Sequence, residues 1–341
     1  MRKVKIGEVA ADAGVSRATV DRVLNRRGGV TIEKERAVLK SARALGLDRN
    51  LGAPPAKLLR VCVLMQPPEN PFYERLSRGF KEANLLFAEQ AIRAYINYID
   101  VLAPETIYER LRRLTDTYDA LVLVSPANDR VVKLVRSIAN KVPVVTLATD
   151  LPLDAPHHYV GLSNLQAGRL AGELMGRLLG EEGGRVLLVA GLDEFSGHRE
   201  RETGFLSVLA EDFPRVVVAA RIESRDQGAL VAGALAKTLR RHADLCGVYN
   251  IAQGNEEIAR HIAPLRREGR FVFVCHDLTP VTRPLLVARQ VDAVIDQDPI
   301  FEARRAMEIV LQHYGRLGGL PVDGMVPLRV VFRENVEREN N

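Results

Sequence analysis

Residues 5–25 read KIGEVAADAGVSRATVDRVLN, and the spacing in this stretch decides what the N-terminus is. Ile6, Val9, Ala10 and Ala13 recur on one face of a first helix, which ends at Gly14, a residue suited to the left-handed turn after a helix. Ser16 is placed to cap a second helix over 17–24, with Val15, Val20, Val23 and Leu24 turned inward. Two helices joined by a tight turn at Gly14-Val15 form a helix-turn-helix, whose second helix enters the DNA major groove. That helix turns Ser16, Arg17, Ala18, Thr19, Asp21 and Arg22 outward. Arg17 and Arg22 have the fork for bidentate contacts to guanine, and Ala18 accepts a thymine methyl. Ser16, Thr19 and Asn25 are short donors suited to phosphates. After Gly28-Gly29, Thr31 caps a third helix that runs through Leu39, Ala42 and Leu45 to Gly46.

Charge supports this reading. The chain has 341 residues and a net charge of +5, but residues 1–60 alone carry 14 Lys+Arg against 6 Asp+Glu. A basic module on a near-neutral body is the footprint of a nucleic-acid-binding head on a sensing or catalytic body. Trp is absent and aromatics are 5%, which weakens an aromatic platform for single strands. No apolar run reaches the ~18–20 residues of a membrane span, and the N-terminus lacks the apolar core of a signal peptide. Cys62, Cys246 and Cys275 are far apart with no CxxC, which fits reduced thiols in a cytoplasmic protein.

From residue 60 onward short apolar runs alternate with helical segments: LRVCVLM, YDALVLVSP, VPVVTLA, GRVLLVAG, RVVVAARI, LCGVYNI, RFVFVCH and VDAVID. Strands that are apolar on both faces, punctuated by helices, predict parallel sheets covered on both sides. Eight such units exceed one ordinary open sheet, so the body divides into two doubly wound lobes. The expected boundaries are a helix-turn-helix domain over 1–48, a linker over 49–59 and a body over 60–341. Within the body, the N-lobe covers about 60–160 plus a returning segment near 292–320, and the C-lobe covers about 161–291. Gly168, Gly172, Gly176 and Gly180 recur every four residues, but Arg169, Glu173 and Arg177 interrupt them, which reads as a helix packed closely on a sheet.

Ligands of such sheets sit at the carboxyl ends of strands. Those ends supply Asn70, Phe72 and Tyr73, then Ser125, then Thr149 and Asp150, and later Asn250. Asp298 before Pro299 reads as a helix cap, and His157-His158 as a surface loop without a third metal ligand. GxGxxG, GxxxxGK[ST] and GxSxG are all missing, so the sequence implies a binding protein and no enzyme, cofactor or metal.

VAADAGVSRATVDRVLN resembles the DNA-binding head of the lactose-repressor (LacI/GalR) family, patterned VA-x-x-AGVS-x-x-TV-x-RVLN. The body resembles the same family's effector domain, a relative of periplasmic sugar-binding proteins. The resemblance implies a cytoplasmic, homodimeric transcription regulator, a repressor of palindromic double-stranded operator DNA. A small sugar-like or polyol effector would set its affinity; the alternative is a solute-binding protein of a sugar transport system. It assigns base reading to Arg17, Ala18 and Arg22, and backbone contacts to Ser16, Thr19 and Asn25. It also assigns effector contacts to Arg199, Asp277 and Gln297, whereas Arg201 in the run HRERE reads as solvated. Two departures stand out. Asp21 replaces the usual Ser, and Pro54-Pro55 interrupt the stretch where the family forms a hinge helix, leaving Leu51 or Leu58 as the candidate wedge.

Overall fold

The computed structural model describes residues 5–24, 30–45, 57–114, 117–268 and 271–336. The chain divides into two units, residues 1–57 and 58–341. In the first, α1 (Ile6–Asp12), α2 (Arg17–Leu24) and α3 (Ile32–Ala44) close around Val9, Ala10, Val20, Val23, Val38 and Ala42. Gly14 turns the chain at φ +64°, and the Ser16 hydroxyl accepts the Thr19 amide at 3.1 Å, capping α2. Leu45, expected inward, is 37% exposed because α3 ends one residue earlier, while Val38 is fully buried in its place. Asn25, Leu51, Pro54 and Pro55 lie outside the described residues.

In the second unit, β1 (Leu59–Met65), β2 (Ile92–Tyr98), β3 (Ala120–Leu123), β4 (Val144–Leu147) and β5 (His158–Val160) form one sheet in the order β2-β1-β3-β4-β5. All its pairings are parallel. The helices between them are α4 (Pro71–Leu86), α5 (Pro104–Leu114) and α6 (Asp129–Ala139). The other sheet contains β6 (Gly184–Ala190), β7 (Val216–Glu223), β8 (Leu245–Asn250), β9 (Val272–His276), β10 (Ala293–Asp296) and β11 (Arg329–Val331). Its order is β11-β10-β9-β8-β6-β7, parallel except for the antiparallel β11. The helices of this lobe are α7 (Asn164–Leu179), α8 (Ser196–Asp212), α9 (Gly228–Arg241), α10 (Asn255–Glu268) and α11 (Thr282–Val287). Both lobes therefore have the doubly wound order 2-1-3-4-5, each with its switch point beside its first strand.

Three strands escaped the sequence reading. β2 is an edge strand whose IRAYINY is only partly buried, so the continuous apolar run is missing. β5 and β11 are three-residue edges, too short to leave a pattern. The return to the first lobe also begins later than expected. Ala293–Asp296 pairs with β9 in the second sheet, and the return begins with the last long helix, α12 (Pro299–His313), and continues to Val326. It buries Ala303, Ala306, Met307 and Val310 in the first lobe's core, and Asp298 caps it by accepting the Phe301 amide at 3.2 Å. The chain passes between lobes again beside Gly161, whose amide donates to Gly324 O at 3.1 Å and whose carbonyl accepts the Val326 amide at 2.9 Å.

The glycine face of α7 presses on a helix and not chiefly on a sheet. A Cβ at Gly168 would lie 2.0 Å from Arg201 O, and one at Gly176 would lie 2.2 Å from the Phe213 ring. From the other side, a Cβ at Gly204 of α8 would lie 2.2 Å from Leu165 O. The two backbones approach this closely only because side chains are absent at the crossing. Gly204→Val is expected to cost about 1–3 kcal/mol, lowering the body's Tm by about 2–4 °C per kcal/mol. Gly233→Ala on α9, where an added Cβ meets no atom within 4 Å, is expected to stabilise by about 0.5–1 kcal/mol. Thermal unfolding of both variants checks the pair.

Candidate ligand cleft and nucleic-acid face

On the head, Ser16, Arg17, Ala18 and Arg22 are exposed along one face of α2, while Val20 and Val23 are buried beneath them. Thr19 is half-buried, its hydroxyl 2.9 Å from that of Ser16. The Arg17 guanidinium lies along α1, where a Cβ at Gly7 would sit 2.9 Å from Nη2. The bare glycine leaves that long side chain room.

In the body, the carboxyl ends of both sheets face a shared cavity of about 240 Å³. Of the residues anticipated there, Asn70, Phe72, Tyr73, Thr149, Asp277 and Gln297 line it. The side chain of Asn70 also caps α4, accepting the Phe72 amide at 3.0 Å and so fixing the two aromatic rings edge to face with centroids 5.0 Å apart. Thr149 is engaged across the lobes, since its Oγ1 accepts the Gly197 amide at 3.1 Å.

The other four stand elsewhere. Ser125 is buried with its hydroxyl donating to Pro126 O. Asp150 turns away to accept from Thr146 Oγ1 at 2.6 Å and to meet His157 Nε2 at 3.0 Å. Asn250 is fully buried and organises the next loop, donating to Ala252 O at 2.9 Å and Asn255 Oδ1 at 2.7 Å. Arg199 is exposed on α8 and donates to Asp193 O at 2.7 Å.

The arginine of the cleft is Arg201, which is only 4% exposed. It donates Nε to Asn164 Oδ1 at 2.8 Å, Nη1 to Ile251 O at 3.3 Å and Nη2 to Gln297 Oε1 at 3.2 Å. Gln297 in turn donates Nε2 to Asp277 Oδ1 at 2.8 Å. The periodicity of α8 held the signal: Gly197, Arg201, Gly204, Phe205 and Val208 form its buried face, from which position 199 is turned away. Asn164, His198, Asp226, Asn255 and His276 also line the cavity and were not anticipated.

Burial governs the ionisation of these groups. It lifts the Asp277 carboxyl up to about 6, against the pull of Arg201. Burial also brings His198 down to about 4 and His276 well below the usual imidazole range, with Arg201 adding to both effects. Both imidazoles are therefore neutral at pH 7. His198 Nδ1 accepts the Leu192 amide at 3.0 Å, which leaves the proton on Nε2. Among the described residues, no group of three His, Cys, Asp or Glu is gathered to hold a metal ion. No described helix is long and apolar enough to cross a membrane.

With this geometry in place, the comparisons are direct. Residues 5–50 match the bacterial regulatory proteins of the lacI family, and residues 61–316 match the periplasmic binding protein domain. The chain belongs to the periplasmic binding protein domain family and carries a lacI-family head. Among solved structures, an ABC transporter solute-binding protein from Burkholderia graminis, in complex with D-arabinose, is 22% identical. It covers 83% of this chain and 98% of its own length at a TM-score of 0.75. GanP, a glucose-galactose binding protein from Geobacillus stearothermophilus, is 18% identical with a TM-score of 0.72, covering 82% of this chain and 99% of its own. A protein from Bacteroides fragilis described as a LacI transcriptional regulator is 16% identical with a TM-score of 0.73, covering 82% and 98%. At these identities the likeness establishes the fold of the body alone. No curated protein matches the sequence.

Asp277 supplies a test through linkage. A carboxyl whose folded pKa is raised from 3.8 to about 6 favours folding in its protonated form, and that contribution is lost as pH rises from about 4 through 6. Asp277→Asn removes the titration. Relative to the native protein, the variant is expected to gain about 1–3 kcal/mol between pH 4.5 and pH 7.5. Urea unfolding at the two pH values measures it.

Proposed function

We propose that this protein is a ligand-responsive repressor of transcription in which a small polyhydroxylated effector, bound between the lobes, sets the affinity of the head for operator DNA. One observation carries the reading: an interlobe cleft organised around a buried arginine stands on the same chain as a lacI-family head. Arg17, Ala18 and Arg22 read bases, and Ser16, Thr19 and Asn25 hold the phosphate backbone. In the cleft, Arg201 and Asp277 act as donor and acceptor to adjacent hydroxyls, as a fork and a carboxylate are suited to do. The Phe72 and Tyr73 rings cover the apolar side of the effector. The lacI-family resemblance supports a homodimer on a two-fold operator, working in the cytoplasm where that DNA is found, and a binding rather than catalytic role. The working division is a head over 1–48, a linker over 49–59 and a body beyond. Pro54 and Pro55 favour an extended linker over a hinge helix.

A solute-binding protein would share the body, as the arabinose and glucose-galactose binding neighbours do, but has no use for a basic helix-turn-helix.

Arg17→Ala and Arg22→Ala are each expected to cost about 1–3 kcal/mol on the operator and little on random DNA. Arg201→Ala is expected to keep operator binding and lose the effector response, whereas Arg199→Ala keeps both. Fluorescence anisotropy with and without effector reads all four variants. Equal losses on operator and random DNA would make that arginine a phosphate contact.

A further inference from the structure

We propose that the effector is a polyhydroxylated amine, with its ammonium seated against Asp226 and Glu257 and its hydroxyls held by Arg201, His198 and His276. This rests on the reading of the cleft as the effector site.

The charge of the lining points this way. It contains Glu69, Asp226, Glu256, Glu257 and Asp277, while Arg201 is its one cation among the described residues, both histidines being neutral. Arg201 already spends three of its N–H groups on Asn164, Ile251 and Gln297. Glu256 is answered by Arg260 at 3.0 Å, and Asp277 by the Gln297 amide. Among the described residues Asp226 accepts from uncharged donors, Gln66 Nε2 at 3.2 Å and the Gln253 amide at 3.4 Å. Glu257 has no ion-pair partner among the described residues, and its carboxylate lies against Gly228, two residues beyond Asp226, where an added Cβ would be 2.8 Å from Oε1. Two half-buried carboxylates of the cleft lining thus lie on neighbouring segments, with no basic partner among the described residues. Closing such a cleft on a neutral ligand strips them of water without compensation, whereas an ammonium supplies the missing charge and several donors.

A second observation describes the rest of the ligand. His276 is 1% exposed, lines the cavity, and its Nδ1 has no hydrogen-bond partner. Its Nε2 is 2.8 Å from the buried Tyr249 hydroxyl. Among the described residues that buried hydroxyl has no other acceptor, so Nε2 accepts from it and the imidazole proton sits on Nδ1. Together with His198 Nε2–H and the remaining N–H groups of Arg201, this makes a set of donors for hydroxyl oxygens. A simple alkylamine leaves these donors unanswered, and a simple sugar leaves the carboxylates unanswered. An amino sugar or aminocyclitol answers both.

The test is isothermal titration of the full chain with a matched panel. It comprises pentoses, hexoses and cyclitols, each beside the analogue with one hydroxyl replaced by an amine and beside the N-acetylated form of that amine. The expected result is an amine that binds about tenfold or more tightly than its hydroxyl parent, an advantage that N-acetylation removes. Asp226→Asn and Glu257→Gln are each expected to narrow the gap between amine and parent. Asn tolerates the backbone of position 226, which has φ +59°, and Gln keeps the size and shape of Glu257, so the two variants do not share a folding risk. A parent that binds as tightly as its amine would overturn the inference and leave the sugar-responsive reading standing. A full panel in which neither class binds would overturn both.

Discussion

The buried guanidinium of Arg201 is the interaction on which the cleft depends. It joins three segments distant in sequence: the start of α7 at Asn164, the loop after β8 at Ile251, and the end of β10 at Gln297. A charge this deeply buried persists only when it is hydrogen-bonded and has a counterion within reach, and Gln297 relays it to Asp277. Its position rests on the bare face of α7. Gly168 lets the backbone of α8 come close enough for Nε of Arg201 to reach Asn164, and any side chain there would strike Arg201 O. A repeat of small residues is thus converted into the placement of one buried guanidinium in the cleft.

The same loops that line the cleft also join the lobes. The Ala127 amide donates to Glu194 O at 2.8 Å, Ser196 Oγ donates to Asp150 O at 2.7 Å, and Leu192 and Phe195 complete the core of the first lobe. Gln66 reaches Asp226 across the gap. A ligand that engages Arg201 from one side and the Phe72–Tyr73 edge from the other therefore adds to contacts present only when the lobes are together. A ligand of this kind would favour lobe closure to the extent that it binds the closed arrangement more tightly than an open one. The crossings beside Gly161 and at Gln297-Asp298 are the segments that would absorb such a motion, and Asp298, at φ +51°, already holds a sparsely populated backbone conformation.

Much of this was legible from the sequence. The two periodicities, 3.6 in KIGEVAADAGVSRATVDRVLN and continuous apolar runs in the body, specify the head and the parallel sheets because buried faces impose them. Strand ends located Asn70, Phe72, Tyr73 and Thr149, and the family resemblance located Asp277 and Gln297. What failed was phase and partnership. Arg199 and Arg201 sit in one charged run, and only the helical phase set by Gly197, Gly204 and Phe205 tells which of them faces inward. Asp150 and Asn250 are at the right strand ends but satisfy local partners, a choice that depends on geometry four to seven residues away. Edge strands buried on one side left no run to read.

The central claim, that Arg201 and Gln297 act as one unit organising the cleft, is tested most directly by a double-mutant cycle. Urea unfolding of the effector-free body would be measured for Arg201→Met, Gln297→Met and the pair. The account predicts a coupling energy of about 1–3 kcal/mol between the two positions. Costs that add to within about 0.5 kcal/mol would contradict it.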